Sequence, residues 1–378
     1  MAAQIDREND FSDPSKVTNT MEDKRMRAML LTGYGGYDKL VMQELPIPKP
    51  ETGQVLIRVK TSGLNFAELH CRQGLYTPQN GFPPLPFSLG LECAGVVEQV
   101  GSGVVQPKPG TRVICLNDFG LWQEFAVVRA DRCFPIPEGM SFEEAGALAV
   151  NYLTAYLMLF DFGNLQQGKS VLIHMAAGGV GIAATQLCKT VPDVTVYGTA
   201  SAHKHEIIRE NGVTHPIDYR NMDYAVELRK ISPKGVDIVL DPLSGKDTMK
   251  GFELLRPMGK LIVFGAANMM KGEARSVLSV AKTWWNSPSF SAIDMMQKNK
   301  SVSGFHLGWL VEETELLTNA MNEIIRLYQA GRIKPKIDSV WHFENIKDAM
   351  KQMQERKNVG KVILSWDPKL APSPKSKD

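Results

Sequence analysis

The chain has 378 residues, 43% of them hydrophobic and 22% charged, with a formal net charge of +2. That length exceeds what one hydrophobic core usually serves, so two domains are expected. The near-neutral balance excludes a nucleic-acid binder working by bulk charge. No run approaches the ~18 apolar residues that span a bilayer, so any membrane contact is expected to be peripheral.

Residues 1–25, MAAQIDRENDFSDPSKVTNTMEDKR, contain no apolar core with basic flanks, and their acidic residues argue against a transit peptide. They read as a disordered leader, and residues 367–378 as a flexible polar tail. Five cysteines, an odd number with no Cys-x-x-Cys pair, fit a reduced cytoplasmic compartment. From Met26 to about Val150, short apolar runs such as AMLLTG, VLIRVKTSG and TRVICLND alternate with Gly and Pro, predicting hairpins and turns. SFEEAGALAVNYLTAYLMLFDFG then predicts helix, with Ser141 as N-cap and Glu144 as its capping-box partner.

After Gly168 the rhythm becomes strand, helix, strand, helix. The strands are SVLIHM, VTVYGT, HPIDY, VDIVLD and KLIVFG, which predicts a parallel sheet covered by helices on both faces. From about Thr314 a long helix leads into KIDSVWHF, another helix and a last strand, KVILSW.

The loop AAGGVG, Ala176 to Gly181, sits between the first of these strands and its helix. It fits G-x-G-x-x-G with Ala in the first slot, and the βαβ context is what a dinucleotide site requires. Gly178 would let the backbone approach a pyrophosphate. Gly181 would let helix and strand pack closely. The helix N-terminus would meet the anion with unpaired N–H groups. The bland alternative is a tight turn without a ligand. An ATPase loop would need a lysine that this stretch lacks. The second strand ends in Gly198-Thr199-Ala200-Ser201-Ala202-His203-Lys204, without the acid that binds an NAD ribose. Ser201 and Lys204 would accept a 2′-phosphate, so NADP is the expected cofactor. Otherwise Lys204 is an ordinary solvated lysine.

Taken with this loop, SGLNFAELHCRQGLY, LGLECAGVVEQVGSGV and NYLTAYLMLF resemble the zinc-free quinone oxidoreductase branch of the medium-chain dehydrogenase/reductase superfamily, from Met26 to Trp366. LTGYGGYDKL, VTVYGTASAHKHE and MQERKNVGKVIL resemble a vesicle-membrane subgroup of that branch. The resemblance implies an α/β fold: a GroES-like β domain, residues 26–151 and 306–366, with a Rossmann doubly wound parallel sheet inserted as residues 152–305. It implies cofactor positions at Asn65, Thr154, Gly178, Gly179, Val180, Gly181, Ser201, Lys204, Tyr219 and Phe264, with Tyr219 offering its hydroxyl to the 2′-phosphate. His70 stands where some members carry a tyrosine near the nicotinamide. A homodimer, and a peripheral place on a vesicle or the mitochondrial outer membrane, are further expectations.

Zinc-dependent relatives carry Cys at the position of Asn65 and His at that of Leu91, and neither replacement ligates catalytic Zn²⁺. No metal is therefore expected, and Glu92 reads as a hydrogen-bonded packing residue. Without a Lewis acid, hydride transfer suits an acceptor that is already electron-poor, a quinone or activated enone. Asn65 is the candidate for orienting ribose or substrate, because its amide both donates and accepts. Tyr76 is the candidate proton donor, or equally a packing residue.

The least family-like stretch is 269–310, rich in Met and Trp, with five Lys/Arg against two Asp/Glu. Val277, Leu278, Ala281, Trp284 and Trp285 share one helical face. Such a face commonly packs on a core, a cleft or a second copy. A basic helix with paired tryptophans also suits an anionic membrane surface. A protein of this fold used mainly at membranes, with weak or no turnover, is the alternative to an enzyme.

Overall fold

The computed structural model describes residues 24–370 apart from 77, 80 and 271. The expected leader lies outside the described residues but for 24 and 25, and the expected tail but for 367–370. Among those residues, no helix is long and apolar enough to cross a membrane.

Two sheets organise the chain. One has six strands in the order His215–Asp218, Thr195–Ala200, Ser170–Ile173, Val236–Asp241, Leu255–Val263 and Ser301–Gly304, all parallel. The strands alternate with the helices Gly179–Cys188, His205–Asn211, Tyr224–Ile231 and Lys246–Leu254, the right order for a doubly wound sheet. The other sheet runs Ile337–His342, Lys361–Ser365, Gln54–Leu64, Glu92–Val100, Arg112–Leu116 and Cys133–Pro135, with Phe125–Arg129 also paired to Gln54–Leu64. A smaller sheet joins Leu40–Pro46, Arg25–Leu31 and Phe87–Ser88. Lys361–Ser365 lies antiparallel to Gln54–Leu64, so the end of the chain returns to the β-rich lobe.

Ser141 and Glu144 form the expected capping box. The helix expected to run unbroken from there is instead two, Phe142–Gly146 and Ala149–Tyr156, followed by a π turn at Leu157–Phe162. Gly146 packs so closely that a Cβ would lie 2.8 Å from Thr61 Oγ1. The second piece, which the boundary expected at 151/152 would cut, packs on the helices Gly179–Cys188 and Thr314–Gln329. Its buried residues Leu153 and Ala155 share one core with Ile114 of the β lobe and Ile173 of the parallel sheet. A single apolar core thus continues from one lobe into the other.

In the β-rich stretch, the helix Phe66–Arg72 was not expected. Its signal is Asn65-x-x-Glu68: the Asn65 N–H donates to Glu68 Oε2 at 2.6 Å.

The stretch 269–310 contains two short helices, Val277–Trp285 and Ala292–Lys298. In the first, the polar Ser279 and Thr283 are buried, while Val277, Leu278, Trp284 and Trp285 are 70%, 84%, 72% and 84% exposed. Packing of the apolar face on this chain's own core or cleft is thereby corrected. Ser276 caps the helix by accepting from the Ser279 N–H, and the Thr283 hydroxyl donates to Ser279 O, so small polar side chains satisfied on local backbone fill the inner face.

Candidate cofactor and substrate cleft

A cavity of about 890 Å³ opens between the two lobes, the size of a small-molecule or cofactor site. Its walls include every residue proposed from the sequence. Asn65 and Tyr76 come from the β lobe, Thr154 from the bridging helix, and Gly178, Gly179, Val180 and Gly181 from the glycine loop. Ser201, Lys204, Tyr219 and Phe264 follow the ends of parallel strands.

The glycines have separable reasons. A Cβ on Gly181 would lie 2.5 Å from Met175 O, so that glycine is demanded by packing on backbone, whereas one on Gly179 would lie 2.3 Å from Asn151 Nδ2, a side-chain end that would have to move. A Cβ on Gly178 would meet nothing nearer than Met175 O at 3.2 Å. Gly178 caps the helix Gly179–Cys188, whose first intrahelical bond runs from the Ile182 N–H to Gly178 O. The N–H groups ahead of that bond are the ones a helix leaves for an anion. The Gly360 N–H donates to Ala177 O at 2.8 Å, which ties the C-terminal return to this loop.

At the other end, Lys204 is buried, and its ammonium donates to Arg356 O and Asn358 O, both at 2.7 Å. Burial pulls its pKa down. The alternative of an ordinary solvated lysine is thereby set aside, and one N–H of the ammonium remains beyond these two bonds. Arg356 also lines the cavity beside it. Sequence reading missed Arg356, because a contact that spans 152 positions leaves no local pattern.

The floor is polar and buried. Lys361 Nζ donates to Asn65 Oδ1 at 2.6 Å and to Glu92 Oε1 at 2.5 Å. Asn65 Nδ2 donates to Gly63 O at 3.2 Å and to Glu92 Oε1 at 3.0 Å, and Glu92 Oε2 accepts the Val150 N–H at 2.8 Å. All three side chains are buried. Glu68 lies behind them, and burial pushes its carboxyl up to about 8, opposed by the N–H groups of Asn65 and Leu91 and by the Lys361 ammonium. An ammonium thus lies between Asn65, where zinc-dependent relatives carry Cys, and the Glu92 carboxylate, and that is not a metal-ligating donor set. Asn65 is corrected here: both of its amide hydrogens are engaged, so it does not donate to a ligand.

Toward the mouth, Tyr76 packs against His306, with ring centroids 5.0 Å apart. Burial raises the Tyr76 phenol well above its usual range. Burial also lowers His70 to about 4 and pulls His306 down. His70 Nε2 and His306 Nδ1 are buried and have no hydrogen-bond partner among the described residues. Both imidazoles line the cavity in the neutral form, available to polar atoms of a ligand.

The sequence profile of the alcohol dehydrogenase GroES-like domain matches residues 51–138, and that of the zinc-binding dehydrogenase family matches residues 211–364. The synaptic vesicle membrane protein VAT-1 homolog of Danio rerio is 58% identical over 90% of this chain and 70% of its own length. The quinone oxidoreductase of Rattus norvegicus is 30% identical over 90% of this chain and 98% of its own. The chain belongs to the zinc-free quinone oxidoreductase branch of the medium-chain dehydrogenase/reductases. Although the second profile is named for zinc-binding enzymes, Asn65 and Leu91 set this member with the zinc-free branch. Among solved structures, Escherichia coli quinone oxidoreductase complexed with NADPH superposes with a TM-score of 0.77 and 27% identity, covering 90% of this chain and 99% of that one. The fold is the GroES-like domain plus Rossmann-type sheet of this superfamily, and the protein is an oxidoreductase by family.

Proposed function

We propose that this protein is an NADPH-dependent, zinc-independent reductase of quinones or activated enones. The observation that carries the reading is the single cavity in which the glycine loop, Ser201, Lys204 and Tyr219 meet a largely apolar chamber bounded by His70, Tyr76 and His306. The residues fit the cofactor. The glycine loop and the helix behind it would receive the pyrophosphate, and Ser201, Lys204 and Tyr219, with Arg356, the 2′-phosphate. When bound, NADPH supplies the hydride. The chain's own residues bind, orient and exclude water. The neutral imidazoles and the Tyr76 phenol offer hydrogen bonds to the acceptor's oxygen. None of them is a strong acid at neutral pH, which favours an acceptor whose reduced form bears its charge on oxygen and takes a proton from solvent. NADPH consumption across a panel of quinones and enones tests the reading. Turnover should survive a chelator, and saturable activity with none of the panel counts against the assignment.

A second reading rests on the helix Val277–Trp285. Its solvent-facing apolar side, with Arg275 and Lys282 nearby, favours peripheral docking on an anionic membrane. The vesicle-membrane names of the relatives agree with it. Lys271, counted with these cations, lies outside the described residues. A homodimer is the competing reading: a second copy could cover the same apolar face, and separately Ser301–Gly304 is the edge of the parallel sheet, open to pairing.

A further inference from the structure

We propose that Asp118 selects the acceptor by charge, so that this cleft takes uncharged or cationic quinones and enones and turns away those that carry a carboxylate, sulfonate or phosphate. The proposal rests on the reductase reading above and adds the class of acceptor.

Ionised groups stand at opposite ends of the cavity wall. Lys204 and Arg356 lie at the end that suits phosphates, and Lys361 is paired with Glu92 on the floor. Among the described lining residues Asp118 is the one carboxylate. It stands in the connection between Arg112–Leu116 and Phe125–Arg129, and shares the wall with Leu116, Phe119, Leu310 and Tyr76. Burial comes first among the causes that raise the Tyr76 phenol, and the Asp118 charge adds to it, so the carboxylate is within electrostatic reach of the chamber.

Asp118 has an incomplete counter-ion. Its one ion-pair contact among the described residues is Arg132, whose Nη1 is 3.8 Å from Asp118 Oδ2, too long for a hydrogen bond. Arg132 is committed elsewhere: Nη2 donates to Glu312 Oε1 at 2.7 Å, and Nη1 to Asn117 Oδ1 at 3.4 Å. Glu312 also accepts from Arg129 at 2.9 Å, and Arg129 pairs with Asp131 at 2.6 Å. Two guanidinium groups thus serve three carboxylates, and Asp118 is the one left at a distance. Neither Arg132 nor Glu312 is on the cavity wall. The Arg132 side chain is 7% exposed against 41% for Asp118. A ligand in the chamber therefore meets the carboxylate with its cation behind it. His70, His306 and Tyr76, the other titratable groups that bound the chamber, are neutral and leave this charge uncompensated.

A second anion brought within a few ångström of Asp118 meets repulsion worth about tenfold at the partly screened mouth of a cleft, and a cation gains by a similar factor. An uncharged quinone or enone is indifferent. Selection of this kind works by rejecting the wrong acceptor.

The test compares three 1,4-naphthoquinones: unsubstituted, sulfonated, and bearing a trimethylammonium group. It is run on the full chain at pH 8, roughly four units above the ordinary aspartate value, and at low salt. Binding of the neutral and cationic probes is read without cofactor by tryptophan quenching, since Trp309 lines the cavity. The sulfonate is read in turnover with NADPH, where the cofactor occupies Lys204 and Arg356. In Asp118→Asn the preference for the cationic over the neutral probe should fall about tenfold, and turnover of the sulfonate relative to the neutral quinone should rise about tenfold. Glu227→Gln, on the helix Tyr224–Ile231 and off the cavity wall, removes the same formal charge and should change neither ratio. Melting temperature checks that both variants fold. The wild-type chain also carries the test alone, because its preference for the cationic probe should shrink as salt is raised. A preference indifferent to salt, ratios unchanged in Asp118→Asn, or no saturable binding of either probe overturns the proposal, whether or not NADPH is consumed. Charge-dependent binding without turnover of any probe overturns the reductase reading and leaves the charge selection standing.

Discussion

The cavity floor and the helix Val277–Trp285 treat polarity in opposite ways. On the floor, Asn65, Glu92 and Lys361 are buried, and each is paired to another or to backbone. On the helix, serine and threonine face inward and two tryptophans face water. The floor is a polar network satisfied among the described residues. The helix has its outer face left without a partner among the described residues. An enzyme needs only the first, and a membrane-associated or dimeric protein also uses the second. The two can be separated experimentally, because they share no residues.

The largest effect is expected at the glycine loop. In Gly181→Val the first Cβ already meets Met175 O at 2.5 Å, so the helix must shift from its strand. A misplacement of about 1 Å costs a catalysed reaction on the order of a hundredfold, and NADPH-dependent turnover should fall by that much with vesicle binding retained. If both fall together, the two regions are not independent.

Acid should weaken the cavity side next. The folded-state pKa of His70 is about 4, below the usual 6.5, through burial. Between those values the unfolded chain takes up a proton that the folded chain refuses, so stability is whole above pH 6.5 and falls toward pH 4. The shift corresponds to about 3 kcal/mol from this side chain. Urea unfolding of wild type and His70→Phe across that range should show a shallower acid limb in the variant. Parallel limbs would mean that His70 is not held neutral.

Lys204→Ala comes third. Losing a charge-assisted bond to the 2′-phosphate should weaken NADPH about ten- to a hundredfold and NADH far less. Because Lys204 also holds Arg356 O and Asn358 O, a small drop in melting temperature should accompany the change. Equal loss for both cofactors would make Lys204 a tether and nothing more.

The smallest effect belongs to the surface. Trp284→Ala with Trp285→Ala should reduce sedimentation with anionic vesicles severalfold and leave NADPH affinity unchanged. Raised salt should weaken the remainder only in part, since Arg275 and Lys282 contribute about 1 kcal/mol each near an anionic surface. Unchanged vesicle binding with a loss of dimer in ultracentrifugation would assign the face to a second copy.

How much of this was legible follows from how local each signal is. Five of the six strands of the parallel sheet and the glycine loop were readable because strand and helix periods change within a few residues; the sixth, Ser301–Gly304, was missed because its four residues include one apolar side chain, Val302. Leu255–Val263 begins earlier than its pattern because Pro257 and Gly259 interrupt the apolar run. Ser141 was readable as a cap because its partner is three residues away. The helix after Asn65 carried a comparable signal that the surrounding β pattern hid. The clamp of Asn65, Glu92 and Lys361 was illegible, because its ends are 296 positions apart. The helix Val277–Trp285 was readable as a helix but not in its orientation. Periodicity finds an apolar face without saying whether it meets a core or solvent.

The central claim is that the cleft between the lobes is an NADPH site. Calorimetric titration of the full chain, NADPH against NADH in the same buffer, tests it most directly. The account predicts one saturable NADPH site per chain, with NADH at least about tenfold weaker. Equal affinities, or no saturable binding of either, would contradict it.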